Sequence, residues 1–470
     1  MKNYLIRAGV SPLDNFDAAY MAANNSIGSN VGNLVYAYSI FRTLMKEDVK
    51  ITPDYYKINP NQADYINKHY DGYIIPLADA FREKFAPKLR AYTDLINRLT
   101  IPVYVVGVGL STDFDPKSGQ TYPFDDDVRN FVKAVLNKSS IVGVRGQITA
   151  DYLTGLGFKE DTDHMVIGCP SMYMNGRELI VRDTNITKDS IISVNNSPKS
   201  PDNVLDFIER SMREFDNHYF IPQWLRELRM SYLGGPDLPN SDKNYPYSVE
   251  HSVYQEDRVR YFLDVPSWHA FLETTDLSFG ARLHGNVAAI LAGTPSIIIP
   301  KDGRMRELAE YHDMNFIYGP DITDDTSIWD VIEKSDFQSV SRQAPKNFDR
   351  YIHFLNLNKI PHIYEETNNP THVYFDELVA AMPKREAIPS FFTLSQNDKS
   401  KRWMKYVEEE KKMQERKFNI QKNRLDKKVK TLQKKVDFQK RTLDRKAVRT
   451  ALKAADLFSK KNKHLLKLKH

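Results

Sequence analysis

The sequence predicts an α/β protein, two doubly wound parallel-sheet domains followed by a long basic helical tail, and three observations carry that expectation. Short apolar runs alternate with amphipathic helical segments up to about Pro320, the repeated βαβ pattern of a parallel sheet. Several runs, such as Val103-Tyr104-Val105-Val106 and Ile297-Ile298-Ile299, are continuous, which marks strands buried on both faces. Charge then divides the chain. Residues 397–470 hold 26 Lys and Arg against 9 Asp and Glu, a net +17, so of the total of +5 the remainder carries −12.

The expected strands are residues 72–76, 102–107, 140–144, 165–167, 190–194, 218–221, 260–263, 277–280, 296–299 and 315–318. Helices such as 128–136, 203–215 and 287–291 lie between them. The polar stretch 174–189 interrupts the alternation and reads as a linker between two doubly wound domains. Residues 233–247, dense in Gly, Pro, Asn and Asp, read as a surface loop at a cleft edge. After about Asn347 the pattern turns helical up to Lys384, punctuated by Pro361 and Pro370, and from Lys399 helix-forming charged residues run almost without Gly or Pro. The expected domains are therefore 1–178, 179–345, a helical return segment and linker at 346–396, and a basic helical or coiled-coil tail at 397–470.

Several classes are excluded. A mean hydropathy of −0.53 with 41% hydrophobic residues fits neither wholesale disorder nor a polytopic membrane protein. The single cysteine, Cys169, excludes a disulfide framework, and it reads as a small buried residue because no activator neighbours it in sequence. Asp14 and Asp17 near the start, with no apolar core around them, do not resemble a signal peptide, and no apolar run approaches the roughly 18 residues of a spanning helix. The expected location is cytoplasmic. Histidine spacing offers no metal site, and Gly107-Val108-Gly109-Leu110 is too short for a dinucleotide motif.

Three glycine-bearing loops carry the candidate chemistry, each expected at the carboxyl end of a strand with a helix N-terminus behind it. The first, Gly28-Ser29-Asn30-Val31-Gly32-Asn33, combines close backbone approach with amide hydrogen bonding, although Asn and Gly are also favoured at helix starts on structural grounds. The second, Val144-Arg145-Gly146, frees an arginine to grip a carboxylate or phosphate with two parallel hydrogen bonds; a surface ion pair is the plainer reading. The third, Ala281-Arg282-Leu283-His284-Gly285, sets a fixed charge beside a group that titrates near neutrality. Period-two alternation is expected to put Arg282 and His284 on one side. Lys301, just past the next strand, is expected to reach the same cleft.

At these residues the chain resembles the polysaccharide pyruvyl transferase family. The ordered set Gly28-Ser29-Asn30-Val31-Gly32-Asn33, Gly107-Val108-Gly109-Leu110, Val144-Arg145-Gly146, Gly168-Cys169-Pro170-Ser171 and Ala281-Arg282-Leu283-His284-Gly285 with Gly293-Thr294-Pro295 covers roughly residues 25–320. The resemblance implies two facing Rossmann-like domains, similar to B-type glycosyltransferase architecture. It implies no cofactor, with phosphoenolpyruvate as donor substrate and a cell-envelope or exopolysaccharide sugar, free or lipid-linked, as acceptor of a ketal. In that scheme Arg145, Arg282 and Lys301 hold the donor, and His284 protonates its methylene carbon. The loops supply Gly28, Ser29, Asn30, Gly32, Asn33, Gly146 and Gly285 as binding residues. One departure stands out: Asn33 occupies a position where Asp often follows the glycine, and an amide cannot take a proton, so the base is unassigned.

The tail lies outside the resemblance. Phe418, Leu425, Val429, Leu432, Val436 and Leu443 approximate a heptad seam broken by Lys422 and Gln439, between dense Lys and Arg. Such a segment suits an anionic membrane surface at the inner face, docking on an acidic partner, self-association, or solvent alone; nucleic acid is disfavoured because no recognition module accompanies the charge. Two other functions remain open. One is a nucleotide-sugar-dependent glycosyltransferase of B-type architecture, with Glu307 or Glu310 on the donor ribose. The other is a non-catalytic envelope-assembly protein.

Overall fold

The computed structural model describes residues 1–239 and 243–467; residues 240–242 of the expected loop and 468–470 of the tail lie outside them. Met1–Lys405 form one compact unit and Tyr406–His470 a second. The first is an α/β fold with two parallel sheets among the described residues. One contains β1 (Lys2–Ile6), β2 (Val49–Pro53), β3 (Gly72–Phe81), β4 (Val103–Leu110), β5 (Val142–Val144) and β6 (His164–Val166), in the order β2-β1-β3-β4-β5-β6. The other contains β7 (Ile191–Asn195), β8 (Asn217–Phe220), β9 (Leu277–Gly280) and β10 (Ser296–Ile298), in the order β10-β9-β7-β8. Chain order reverses beside β1 and again beside β7, and such switch points open crevices at the carboxyl ends of strands.

Apolar burial on both sheet faces sets these elements. All eight residues of β4 are buried, with Leu89, Tyr92 and Leu95 of helix Ala86–Arg98 and Val128, Phe131 and Val132 of helix Asp125–Leu136 in the same core. Around the second sheet Val204, Leu205, Phe207 and Ile208 of helix Asp202–Arg213 join Ile192, Val194, Phe279 and Ile297. Each such side chain contributes about 1.5–3 kcal/mol on burial, several times the net worth of one hydrogen bond.

Four helices position the site: α1 (Gly32–Leu44), α2 (Gln147–Gly155), α3 (Leu283–Leu291) and α4 (Gly303–Tyr311). Helix Ser339–Leu357 returns to the first sheet, where Arg350 Nε donates to the Val166 carbonyl at 2.8 Å and the Asn358 side chain bonds both Ser140 and Ile141. The tail is α5 (Gln396–Leu443) and α6 (Lys446–Lys467). Its seam from Phe418 to Leu443 is 42–66% exposed. None of the described helices is long and apolar enough to cross a membrane.

Four expectations are corrected. β1 and β2 form at positions where no strand was expected, because they are short and mixed; β2 alternates buried with exposed or half-buried residues, as an edge strand does. Residues 260–263 and 315–318 form only isolated bridges, Tyr261 to Ile388 and Phe316 to Ile298. Tyr261, Phe262 and Leu263 are buried, Phe316, Ile317 and Tyr318 are half-buried, and neither run extends a ladder. The first glycine loop follows helix Ala18–Asn24 rather than a strand. His284 is not on the strand whose alternation was to align it with Arg282, because Arg282 already caps α3.

Candidate active site

A cavity of about 640 Å³ is lined from the carboxyl ends of strands in both sheets. Arg7 follows β1, Tyr56 follows β2, Asp79 and Arg82 come at the end of β3, and Arg145 follows β5. From the second sheet Lys199 follows β7, Trp224 follows β8, Arg282 and His284 follow β9, and Lys301, Asp302 and Arg304 follow β10. Of the residues expected from the sequence, Gly28, Asn30, Asn33, Arg145, Arg282, His284 and Lys301 line this cavity, while Ser29, Gly32, Gly146 and Gly285 do not.

Three of those glycines make room for functional neighbours. A Cβ on Gly32 would stand 2.8 Å from His284 Cβ, one on Gly146 2.6 Å from Glu307 Cβ, and one on Gly285 2.6 Å from Gln223 Nε2. The first loop is held by its own amides. Asn25 Oδ1 accepts from Ser29 N at 2.6 Å, Asn30 Oδ1 from Gly32 N at 2.9 Å, and Asn33 Nδ2 donates to the Ile27 carbonyl at 2.9 Å. Gly28 takes φ +60°, where a side chain is strained. Val31 N donates to the Gln223 carbonyl at 2.8 Å, which ties this loop to the one after β8.

The two expected arginines are held alike. Arg145 is 1% exposed, donates from Nε to the Gly107 carbonyl at 3.0 Å and stacks 5.1 Å from the Tyr36 ring centroid. Arg282 is 8% exposed, donates from Nε to the Asn196 carbonyl at 2.8 Å and stacks 4.7 Å from the Trp224 centroid. The Nη2 atom of each is buried and has no hydrogen-bond partner among the described residues. Buried donors left unpaired are costly, and in a cavity wall they point to an anionic ligand.

The sequence did not single out Arg7, Arg82, Lys88, Lys199 or Arg304, which bring the cations of the cavity to eight against the carboxylates of Asp79 and Asp302. Arg7 was hidden because β1 was unrecognised, and Arg82 because β3 runs past its expected end. Burial, reinforced by Arg145 and Arg304, pushes the His284 imidazole down to about 3, and its Nε2 stands 3.9 Å from Cys169 Sγ. Burial and then Arg282 push the Lys301 ammonium down to about 7; it donates to Ser200 Oγ at 3.1 Å. Burial pushes Glu307 up to about 7, although it accepts from Thr149 N and Oγ1 at 2.9 Å. Glu307 and Glu310 do not line the cavity, and Glu310 accepts from Arg306 and Tyr318. Among the described residues no group of three or more His, Cys, Asp or Glu is placed to hold a metal ion.

The geometry is a cationic cleft at the strand ends of two parallel sheets, with one imidazole in its wall. Residues 30–302 match the family model of polysaccharide pyruvyl transferases, more than half of the chain, and the chain belongs to that family. The tail lies outside the match. No curated protein matches the chain. Similar solved structures include a UDP-GlcNAc 2-epimerase from Methanocaldococcus jannaschii in complex with UDP-GlcNAc and UDP (11% identity, 76% of this chain and 99% of that one, TM-score 0.43). Others are the S. aureus MnaA–UDP structure (13%, 77% and 99%, TM-score 0.38) and an uncharacterised protein from Klebsiella pneumoniae (13%, 67% and 92%, TM-score 0.36).

Proposed function

We propose that the cavity binds phosphoenolpyruvate and that the enzyme transfers its pyruvyl group to hydroxyls of an envelope or exopolysaccharide sugar as a ketal. The observation that carries this reading is the pair of buried guanidinium groups, each with an idle Nη2, within an eight-cation cavity on a body of net charge −12. Phosphoenolpyruvate presents a carboxylate and a phosphate, two planar or tetrahedral anions that match two such donors. His284 is the acid. Unliganded, its imidazole is neutral at physiological pH; the donor's negative charges offset Arg145 and Arg304 and raise it toward the range in which it can protonate the methylene carbon. The sugar oxygen bonds to the neighbouring carbon, and phosphate leaves with its electron pair.

On this reading the two sheets act as facing Rossmann-like domains, the chemistry needs no cofactor, and the basic tail holds the enzyme at an anionic membrane surface where a lipid-linked acceptor resides. Flotation of a tail-deleted protein with anionic liposomes would overturn the last point. Calorimetry tests the donor: phosphoenolpyruvate should bind without added nucleotide sugar, and binding of a nucleotide sugar with none of phosphoenolpyruvate sinks the reading.

A further inference from the structure

The first loop offers Asn33 and therefore no base, yet ketal formation must remove a proton from the attacking hydroxyl. Two carboxylates line the cavity, and their oxygens are used differently. Asp302 caps α4: its Oδ1 accepts from Met305 N at 3.0 Å and from Arg304 Nε at 3.4 Å, and its Oδ2 accepts from Arg304 Nη2 at 3.2 Å. Asp79 receives Arg82 Nη1 at 2.7 Å and Arg304 Nη1 at 3.0 Å, both on Oδ2. Its Oδ1 accepts no hydrogen bond from any described residue.

The backbone delivers this carboxylate by an irregularity. The β3–β4 register shifts between Ala78 and Phe81, and Ala78 takes φ +49°, a left-handed conformation unfavourable for alanine. Bulges and strained residues recur beside active sites because they re-aim a side chain that regular pleating would direct elsewhere.

We propose that Asp79 is the general base of this enzyme, its Oδ1 taking the acceptor hydroxyl proton. The assignment rests on the donor reading above. As the first hydroxyl oxygen bonds to the central carbon of phosphoenolpyruvate, its proton passes to Asp79 Oδ1 and the double-bond electrons take a proton from His284 at the methylene carbon. The second hydroxyl then attacks the same carbon, the carbon–oxygen bond to phosphate breaks, and phosphate leaves with the second hydroxyl's proton. Arg82 and Arg304 both hold Oδ2, and no described residue donates to Oδ1. Of the other titratable groups lining the cavity, Tyr56, Lys88, Lys199, His284, Lys301 and Asp302, none forms a hydrogen bond or ion pair with the Asp79 carboxylate among the described residues.

The test uses the full chain with phosphoenolpyruvate and a diol acceptor. Asp79→Asn is expected to bind phosphoenolpyruvate within about threefold of wild type and to transfer at least about 100-fold more slowly, with the acid limb of the kcat profile lost. Asp79→Glu, which keeps the charge, should retain measurable transfer with that limb displaced. Transfer by Asp79→Asn within threefold of wild type overturns the assignment. Should Asp79→Asn lose donor binding through its arginines, an acid limb left unmoved in Asp79→Glu overturns it instead. A wild-type chain that binds no phosphoenolpyruvate overturns the donor reading and this assignment together, whereas a wild-type enzyme equalled by Asp79→Asn overturns the assignment alone.

Discussion

The six-stranded and four-stranded sheets present the cavity with the same device and then diverge. Each releases one arginine at the carboxyl end of a strand, stacks it on an aromatic ring, spends Nε on a backbone carbonyl and leaves Nη2 idle. Beyond that pair the first sheet adds Asp79 with Arg7, Arg82 and Lys88, while the second adds Lys199, Asp302 and Arg304 together with His284 and Lys301, whose pKa values burial pushes down to about 3 and about 7. Cationic side chains thus reach the cavity from both halves. On the proposed mechanism the acid comes from one half and the base from the other.

The sharpest way to break that division is His284→Ala. It should lower transfer by roughly 10²–10⁴-fold while phosphoenolpyruvate affinity changes only a few-fold, measured by steady-state kinetics beside calorimetry. An unchanged rate would remove the acid from the second sheet. Next in size is the pocket wall behind Arg145. Glu307 has a raised pKa of about 7 when folded against 4.5 unfolded, so its contribution to stability is fully present below pH 4.5 and is lost as pH rises to about 7. Relative to Glu307→Gln, wild type should therefore lose about 3 kcal/mol between pH 4.5 and 8 in denaturant melts. A gap that stays constant with pH would contradict it. Smallest is the arginine comparison itself: Arg145→Gln and Arg282→Gln should each weaken phosphoenolpyruvate binding by about 10–100-fold, the loss of one charge-assisted pair. A large loss for one alone would show that the two stacked guanidinium groups are not equivalent.

Much of the fold was legible because continuous apolar runs mark strands buried on both faces, and β4 and β10 fall on such runs. β1 and β2 were not, since their mixed residues gain their strand character from neighbours. The same limit governed the site. Arg145, Arg282, His284 and Lys301 stood beside glycines or just past recognisable strands. Arg7, Arg82 and Arg304 have no such marker, and only the convergence of strand ends makes cavity residues of them. Gly32, Gly146 and Gly285 were read as ligand contacts, yet the structure uses their missing side chains to seat His284, Glu307 and Gln223.

The sequence by itself determined the acidic body and basic tail, the parallel sheets and the family, because composition, apolar periodicity and short ordered motifs are local properties of the chain. Only the tertiary structure decided that eight cations share one cavity with two carboxylates and that, among the described residues, Asp79 alone of those carboxylates has an oxygen that accepts no hydrogen bond. Those facts depend on which strand ends converge and on one shift of register, and such distances between remote residues are set by packing.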